Sequence, residues 1–265
     1  MDEEEYLLNL VKQADYPRYL FLLRLSTKDR MAIVPLYGFA AEIYKIVRTA
    51  TDITIAEIKL KWWQEVLSQE RQDEAQAAPL VRALLATIEE QQIPLQPLLD
   101  LIEARRFDLY HDLFPTQTEM EGYYGETQGV LFQLTARILG YDQENHKDIS
   151  EIFGFAGIIY GLTDDLNRLD QWHNVGKSII PKDIHHNILV ADKAEQASAK
   201  KTLLEIMVSY QLKIKNHSKK PDIEKIDFYL SPMKSKVRIL KQLQQNPNQS
   251  YEYSNLKLVI YQYLL

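Results

Sequence analysis

Apolar residues recur at intervals of three and four along most of this chain, and this spacing restricts its fold more than any other feature. The stripe is regular between Lys28 and Thr49. Its members are Met31, Val34, Tyr37, Ala41, Tyr44 and Val47. Such a stripe covers one side of a buried α-helix, whereas a half-buried strand alternates at every second residue. Strand-type alternation is nearly absent, so we predict an all-α protein.

Similar stripes predict further helices with short breaks between them. One helix begins after Asp52 or Thr54, since either residue can serve as its N-cap, and the polar segment 68–78 interrupts the pattern. The other helices are expected at 79–91, 95–110, 118–139, 148–169, 194–216, 223–230 and 232–243, with a loop at 173–182 and a last apolar piece at 256–265. Because no segment resembles a linker between two cores, residues 1–265 are expected to form a single domain.

The segment FGFAGIIYGL, residues 153–162, is apolar on nearly all sides and contains three glycines. A helix without a polar face is surrounded by protein, and small residues allow its neighbours to approach closely. We therefore predict that this helix is the central one.

Composition excludes several classes of function. The chain has 265 residues with 31 Lys and Arg against 37 Asp and Glu, a net charge of −6, which argues against general nucleic-acid binding. It contains no cysteine, which excludes disulfides, thiolate zinc sites and a cysteine nucleophile. The adjacent His185 and His186 lie far from His111 in sequence and lack the spacing of a helical zinc-binding pair. The sequence therefore predicts no metal site of its own.

The ends and the charge distribution bear on location. The first residues, MDEEEYLLNL, lack the basic start and apolar core of a signal peptide, and no run approaches the roughly 18 apolar residues of a spanning helix. We expect a cytoplasmic protein that can be peripheral to the inner membrane. Nine cations and three anions lie in the basic region 213–241. That region either faces anionic lipid or an acidic partner, or is an ordinary solvated surface.

Three stretches of the chain resemble the squalene/phytoene synthase family. The stretches are RYLFLLRLSTKDRMAIVPLYGFAAEIYKIVR (18–48) with ITIAEIKLKWWQEVL (53–67), LIEARRFDLYHD (101–112) with EGYYGETQGVLFQLTARILG (121–140), and AGIIYGLTDDLNRLDQWHNVGKSIIPKDI (156–184). They occur in the family's order, and the resemblance is strongest over residues 15–190. It implies the isoprenoid synthase fold, a helical domain that surrounds a central apolar cavity with a polar mouth.

Catalytic members of that family join two prenyl diphosphates head to head. Ionisation of an allylic diphosphate releases a leaving group with several negative charges, which magnesium neutralises. In the family, magnesium is held by a metal clamp, which consists of two aspartate-rich motifs, one on each of two facing walls of the cavity mouth. Carboxylates supply the hard oxygen ligands that magnesium prefers.

The carboxylates of both motifs are replaced in this chain. The first family motif has the pattern Tyr-x-Phe-Cys-Arg-x-x-Asp-Asp-x-x-Asp. When it is aligned at Tyr37, its three carboxylate positions are occupied by Tyr44, Lys45 and Arg48. Counting back from Gly176, Pro181 and Asp183 places the two aspartates of the second motif at Arg168 and Trp172. Asp164, Asp165 and Asp170 lie nearby with a different spacing, and Asp164 is four residues from Arg168, as in a helical ion pair.

Other family-type residues are retained. They are Arg30, Tyr37, Arg106, Asp108, Tyr124, Gly129, Gly176, Pro181 and Asp183. We expect Gly129 and Gly176 to permit close packing or a tight loop. Arg30 and Arg106 either meet a phosphate group or pair with Glu103, Asp108 or the helix ends, and the sequence leaves both alternatives open.

The leading hypothesis is a pseudoenzyme that keeps the fold and has lost the metal clamp. It resembles a divergent branch of the family that includes a mitochondrial complex I assembly factor, and it would bind an isoprenoid, another lipid or a protein partner without a cofactor. The residues expected at the cavity mouth are Arg30, Tyr37, Lys45, Arg48, Arg106, Asp108, Tyr124 and Arg168. In one version the cations bind an anionic head group directly; in the other, Glu42, Asp164 and Asp165 neutralise them.

Two further hypotheses remain. An active prenyltransferase would hold magnesium with the shifted carboxylates Asp164, Asp165 and Asp170 together with Glu42, although Asp165 and Asp170 point to different faces of a helix. A pure interaction module would use an exposed Trp62 or Trp63 as a partner anchor, or the terminal segment NLKLVIYQYLL at 255–265.

Overall fold

A computed structural model describes residues 2–71, 77–110, 113–141, 147–174, 176–217 and 224–246. All regular secondary structure within these ranges is helical, and no strand occurs in them. The predicted all-α class is therefore confirmed. The described residues fall into two compact units, one built from residues up to 110 with 134–141, the other from 113–133 and the residues from 147 onward.

The first unit is arranged around one long helix. Its helices are α1 Glu3–Ala14, α2 Tyr16–Leu22, α3 Thr27–Arg48, α4 Ile53–Leu67, α5 Pro79–Glu90 and α6 Gln96–Arg106, followed by a 3₁₀ turn at Phe107–Leu109. Helix α3 packs against α1, α5 and α6, and of its predicted stripe Val34, Tyr37 and Val47 are buried, whereas Met31, Ala41 and Tyr44 are half-buried. Its side chains at Ile33, Val34, Leu36, Phe39 and Ile43 are fully buried.

Carboxylate caps determine where several of these helices begin. Asp52 is the N-cap of α4, because its Oδ1 accepts a hydrogen bond from the backbone N–H of Thr54 at 2.7 Å. The helices α1 and α2 are not among the predicted elements, since each presents only a short apolar stripe. They begin at Asp2 and Asp15, whose side chains accept from the backbone of residues three positions later.

The second unit surrounds a buried central helix. Its elements are α7 Gln117–Tyr124, a π-helical turn Gly125–Gly129, the start of α8 Val130–Ile138, α9 Lys147–Asn167, α10 Leu169–Asn174, a 3₁₀ turn Ile188–Val190, α11 Lys193–His217, α12 Glu224–Tyr229 and α13 Ser231–Gln245. The rest of α8, from residue 134, belongs to the first unit. Helix α9 packs against the π turn, α7, α11 and α13. The prediction that 153–162 forms the central helix is confirmed.

Two glycines allow the backbone of α9 to pack directly against the backbone of the π turn. A Cβ atom on Gly157 would lie 2.3 Å from the backbone nitrogen of Gly129, and a Cβ atom on Gly129 would lie 3.1 Å from the Phe153 carbonyl oxygen. The close packing expected of Gly129 is confirmed. The single helix expected at 118–139 is wrong in one respect, because the π turn interrupts it where the two backbones cross.

Other differences are small. Helix α10 extends into the loop expected at 173–182, and Gly176 follows it with a φ of +72°, a conformation that favours glycine. Trp63 is buried against Phe39, with ring centroids 5.2 Å apart, whereas Trp62 is half-buried. His111 and the apolar piece at 256–265 lie outside the described residues.

Candidate functional site

The end of α3 carries the residues that replace the first family motif. Lys45 is 64% exposed, and its Nζ lies 3.2 Å from Glu42 Oε1. Arg48 donates to the Tyr44 hydroxyl and lies 5.5 Å from the centroid of that ring. Cations in the last turn also suit the negative end of the helix dipole. This turn of α3 is therefore cationic and attracts anions.

An arginine from α6 lies against the same tyrosine. The buried Arg105 guanidinium is 4.8 Å from the Tyr44 ring centroid, and its Nη1 donates to Asp108 Oδ2 at 3.2 Å. Asp108 is among the predicted site residues, whereas Arg105 is not. A signal for Arg105 was available, because it falls in register with the buried residues Leu98, Leu101 and Ile102 of α6.

Arg30 and Arg106, for which the sequence leaves open either phosphate binding or ion pairing, are both paired with carboxylates. Arg106 Nε lies 2.9 Å from Glu57 Oε2, and its Nη1 donates to Glu103. Arg30 Nε donates to Glu4 Oε1 at 2.9 Å, which ties the start of α3 to α1. The pairing with Glu103 expected for Arg106 is thus present, and phosphate binding by either arginine stays a prediction.

Tyr37 lies in the core of the first unit. It is 3% exposed, and its hydroxyl is 2.8 Å from Thr135 Oγ1. Burial raises the pKa of Tyr37 to about 12, although the Arg18 guanidinium, 5.2 Å from its ring centroid, acts in the opposite direction. The phenol therefore remains protonated at neutral pH and serves as a buried hydrogen-bonding group.

In the second unit, a lysine side chain forms an ion pair with one of the aspartates that the alternative hypothesis assigns to magnesium. Lys236 on α13 places its Nζ 2.7 Å from both Oδ1 and Oδ2 of Asp164 on α9. The Lys236 side chain is 10% exposed, and its ammonium lies 4.8 Å from the Tyr160 ring centroid. Both oxygens of Asp164 are thus engaged by one buried cation.

Lys236 is not among the predicted site residues, because its sequence neighbours place it in the basic region 213–241. A local signal existed, since Lys236 falls in register with Met233, Leu240 and Leu243, which form the buried stripe of α13. A lysine inside an apolar stripe needs a partner in the core.

The other shifted aspartates have separate surroundings. Asp165 Oδ2 accepts a hydrogen bond from the buried Tyr124 hydroxyl at 2.8 Å. Arg168 Nη2 lies 4.0 Å from Asp164 Oδ2, so the predicted helical ion pair is present in a long form. Asp170 is exposed on α10. The structure therefore does not bring Asp164, Asp165 and Asp170 together around one point.

The donor set in the described residues does not fit magnesium. Those ranges contain no group of three or more His, Asp and Glu side chains that could hold a metal ion. Magnesium requires several hard oxygen ligands, whereas Asp164 is engaged by Lys236 and the α3 positions hold Tyr44, Lys45 and Arg48. The residues that replace the family clamp therefore suit an anion better than a metal ion.

The loop after α10 retains family-type residues in an architectural role. Asp183 accepts hydrogen bonds from the backbone N–H of Gln117 through both carboxylate oxygens, at 3.1 and 2.9 Å. The backbone N–H of Lys182 also donates to the Phe114 carbonyl at 2.9 Å. These bonds fasten the loop to the start of α7 within the second unit.

The basic region is less continuous than its sequence indicates. Lys213, Lys215 and Lys241 are exposed, Lys234 and Arg238 are half-buried, and Lys236 is buried. Lys219 and Lys220 lie outside the described residues. Contact with a membrane through this region stays a prediction.

The chain belongs to the squalene/phytoene synthase family, whose model matches residues 11–256. The fold agrees, because a crystal structure of a dehydrosqualene synthase in complex with ligand superposes with a TM-score of 0.74 at 15% identity, covering 97% of this chain and 94% of that one. The two aligned chains therefore share the isoprenoid synthase fold.

Two named relatives match part of the chain at higher sequence identity. The chain is 24% identical over 184 residues to human NADH dehydrogenase (ubiquinone) complex I, assembly factor 6, covering 68% of this chain and 54% of that protein. It is 26% identical over 149 residues to 15-cis-phytoene synthase from Synechocystis, covering 54% and 43%. The chain thus spans about half the length of the curated relatives it matches.

No helix within the described ranges is both long enough and apolar enough to cross a membrane.

Proposed function

We propose that this chain is a family member that binds an isoprenoid or another lipid and does not join prenyl diphosphates. The observation that carries the proposal is the contact of Lys236 Nζ with both oxygens of Asp164 at 2.7 Å. A resident ammonium occupies the positions through which a carboxylate would bind magnesium. Without that neutralising charge, the diphosphate is a poor leaving group.

The cations at the end of α3 support a ligand with an anionic head group. Lys45 is largely exposed, next to the exposed Arg48, and is paired with Glu42. Guanidinium and ammonium groups suit phosphate oxygens. We propose that these two cations contact the head group directly. In the competing arrangement, Glu42 neutralises Lys45 and no ligand binds there.

We further propose a role in the assembly of a membrane respiratory complex, with the protein cytoplasmic or peripheral to the membrane. This role is supported by the likeness to complex I assembly factor 6 over 184 residues. A protein partner is part of this proposal. Deletion of the gene in its source organism, followed by a native-gel assay of NADH dehydrogenase, tests it; unchanged amounts of assembled complex would contradict it.

The catalytic question is tested with labelled farnesyl and geranylgeranyl diphosphate, each incubated with the purified protein with and without magnesium. We expect the intact lipid to be retained and no diphosphate to be released. Magnesium-dependent release that is abolished by Asp164→Ala would instead establish the alternative, a transferase with shifted carboxylates. If the protein neither retains the lipid nor releases diphosphate, the lipid-binding proposal is contradicted. Protein partners would then be tested next.

Head-group contact is tested by the double substitution Lys45→Glu with Arg48→Glu. We expect lipid retention to fall about tenfold or more, since two favourable charges become repulsive. Lys61→Glu is the matched control, because Lys61 is an exposed lysine on α4, 3.7 Å from Glu65. Retention by the double variant equal to that of the control would show that these cations do not touch the lipid.

A further inference from the structure

A cleft of about 500 Å³ lies inside the second unit, between α10 and the first turns of α11. Leu169 and Ala197 contribute its apolar surface. Its polar lining consists of Asp170, His173, Asn174, Lys193, Gln196 and Lys200. Of these six, only Asp170 is among the site residues that the sequence predicts.

The cleft is distinct from the surface that carries the second family motif. At the start of the short helix α10, the backbone N–H of Trp172 donates to the Arg168 carbonyl, and these two residues share one face. Leu169, Asp170 and His173 follow at helical angles that turn them to the other side. A ligand in this cleft is therefore independent of the proposed function.

Lys200 is the unusual member of the cleft. It is 9% exposed, yet its ammonium makes no hydrogen bond or ion pair within 4 Å among the described residues. Burial lowers the pKa of Lys200, and the carboxylate of Asp170 acts in the opposite direction from the rim of the cleft. A buried ammonium without a close partner is costly, so an anion that reaches it gains a strong interaction.

His173 and Gln196 form a neutral wall of the cleft. His173 Nε2 lies 3.1 Å from Ser178 Oγ, and Gln196 lines the same cleft. Burial lowers the pKa of His173, which keeps the imidazole uncharged at neutral pH. Because the Gln196 Nε2 donates to the Ala191 carbonyl at 3.0 Å, this wall is already hydrogen-bonded within the protein.

The remaining groups define the ligand that the cleft would accept. Lys200 and Lys193 contribute two positive charges, and Asp170 contributes one negative charge, so the lining has a net charge of about +1 with His173 neutral. Asn174 adds an amide donor beside them. We propose that the cleft binds a small oxyanion, a phosphate or carboxylate group, with the Lys200 ammonium as its principal partner and Lys193 and Asn174 at the rim.

Calorimetric titration with inorganic phosphate and with acetate, at constant ionic strength set with chloride, tests the proposal. We expect binding of at least one of the two, and their relative affinities identify whether the natural group is a phosphate or a carboxylate. Lys200→Met should weaken that binding by about tenfold or more, because it removes the buried charge and keeps the side-chain length.

Two further variants make the test specific. Lys201→Met is the matched control, because Lys201 is the neighbouring lysine, 73% exposed and 3.9 Å from Glu205 outside the cleft, and its substitution should change the affinity less than twofold. Asp170→Asn should tighten binding severalfold by removing repulsion. Circular dichroism establishes that each variant is folded. Absence of phosphate and acetate binding to the wild-type protein, or equal affinities of Lys200→Met and Lys201→Met, would overturn the proposal.

Discussion

At the scale of single side chains, this protein is characterised by several buried charged residues. Lys236 and Lys200 both interrupt apolar stripes, but only Lys236 has a carboxylate within hydrogen-bonding distance. Arg105 is buried beside Asp108. A buried cation must be paired, deprotonated or bound to a ligand, since the isolated charge is strongly disfavoured. The burial cost of the Lys236 charge is therefore offset by its ion pair with Asp164, whereas the burial of Lys200 lowers its pKa.

Lys200→Met is expected to stabilise the protein in the absence of phosphate. The folded-state pKa of Lys200 is lowered from 10.5, so the folded protein holds this proton less tightly than the unfolded chain does. The destabilisation is complete at pH values below the lowered pKa and disappears as the pH rises toward 10.5. Urea unfolding across this pH range should show the variant's advantage shrinking with increasing pH. A constant advantage would contradict a titrating Lys200.

At the scale of helices, close contact at small residues positions α9 in the second unit. Gly157 faces the backbone of Gly129 and Tyr124. A Cβ atom on Gly154, one turn earlier on the same helix, would meet no neighbouring atom within 4 Å. Interiors packed as densely as the surroundings of Gly157 leave no room for an added methyl group.

Gly157→Ala is expected to destabilise the fold by about 3 kcal/mol, since the new carbon would displace backbone atoms. Gly154→Ala is the control and should stabilise by up to about 1 kcal/mol through helix propensity. Denaturant unfolding of both variants measures the difference. Equal stabilities would show that the crossing of α9 and the π turn relaxes without cost.

The contact between α9 and α13 also depends on an ion pair. We expect Asp164→Asn to cost about 2 kcal/mol or more, because it leaves the Lys236 ammonium, 10% exposed, without a charged partner. Lys236→Met should cost less, since Asp164 is 28% exposed and keeps Arg168 at 4.0 Å.

Unfolding free energies of both single variants and the double variant form the cycle that measures the coupling. Lys241→Met, at an exposed position of the same helix, provides the baseline. Additive effects of the two substitutions would mean that the 2.7 Å contact contributes no coupling energy.

At the scale of the whole molecule, the family fold is kept while the chemistry of its carboxylate positions is changed. A ligand that binds only the folded state raises stability in proportion to the logarithm of its concentration. We therefore expect millimolar magnesium to leave the unfolding temperature within about 1 °C of that in sodium chloride of equal ionic strength. A rise of several degrees that is specific to magnesium would reveal a metal site and contradict the pseudoenzyme proposal.

Much of the fold follows from local patterns in the sequence. The stripe of α3, the Asp52 cap and the apolar segment of α9 are each contained within one helix or its first turn, so periodicity and capping preferences are sufficient to predict them. The replacement of carboxylates by Lys45, Arg48 and Arg168 can also be predicted from the sequence, because the prediction requires only the motif spacing and the family resemblance.

The tertiary structure alone decided which charges meet. Asp164 and Lys236 are 72 residues apart, and Tyr124 and Asp165 are 41 apart, so no local period relates them. Their pairing depends on how α9 packs against α13 and α7, which is set by the shapes of many side chains together. The same is true of Lys200, whose charge is significant only because α10 and α11 bury it beside a cleft. Helical periodicity therefore determines the elements, whereas packing determines the chemistry of the sites.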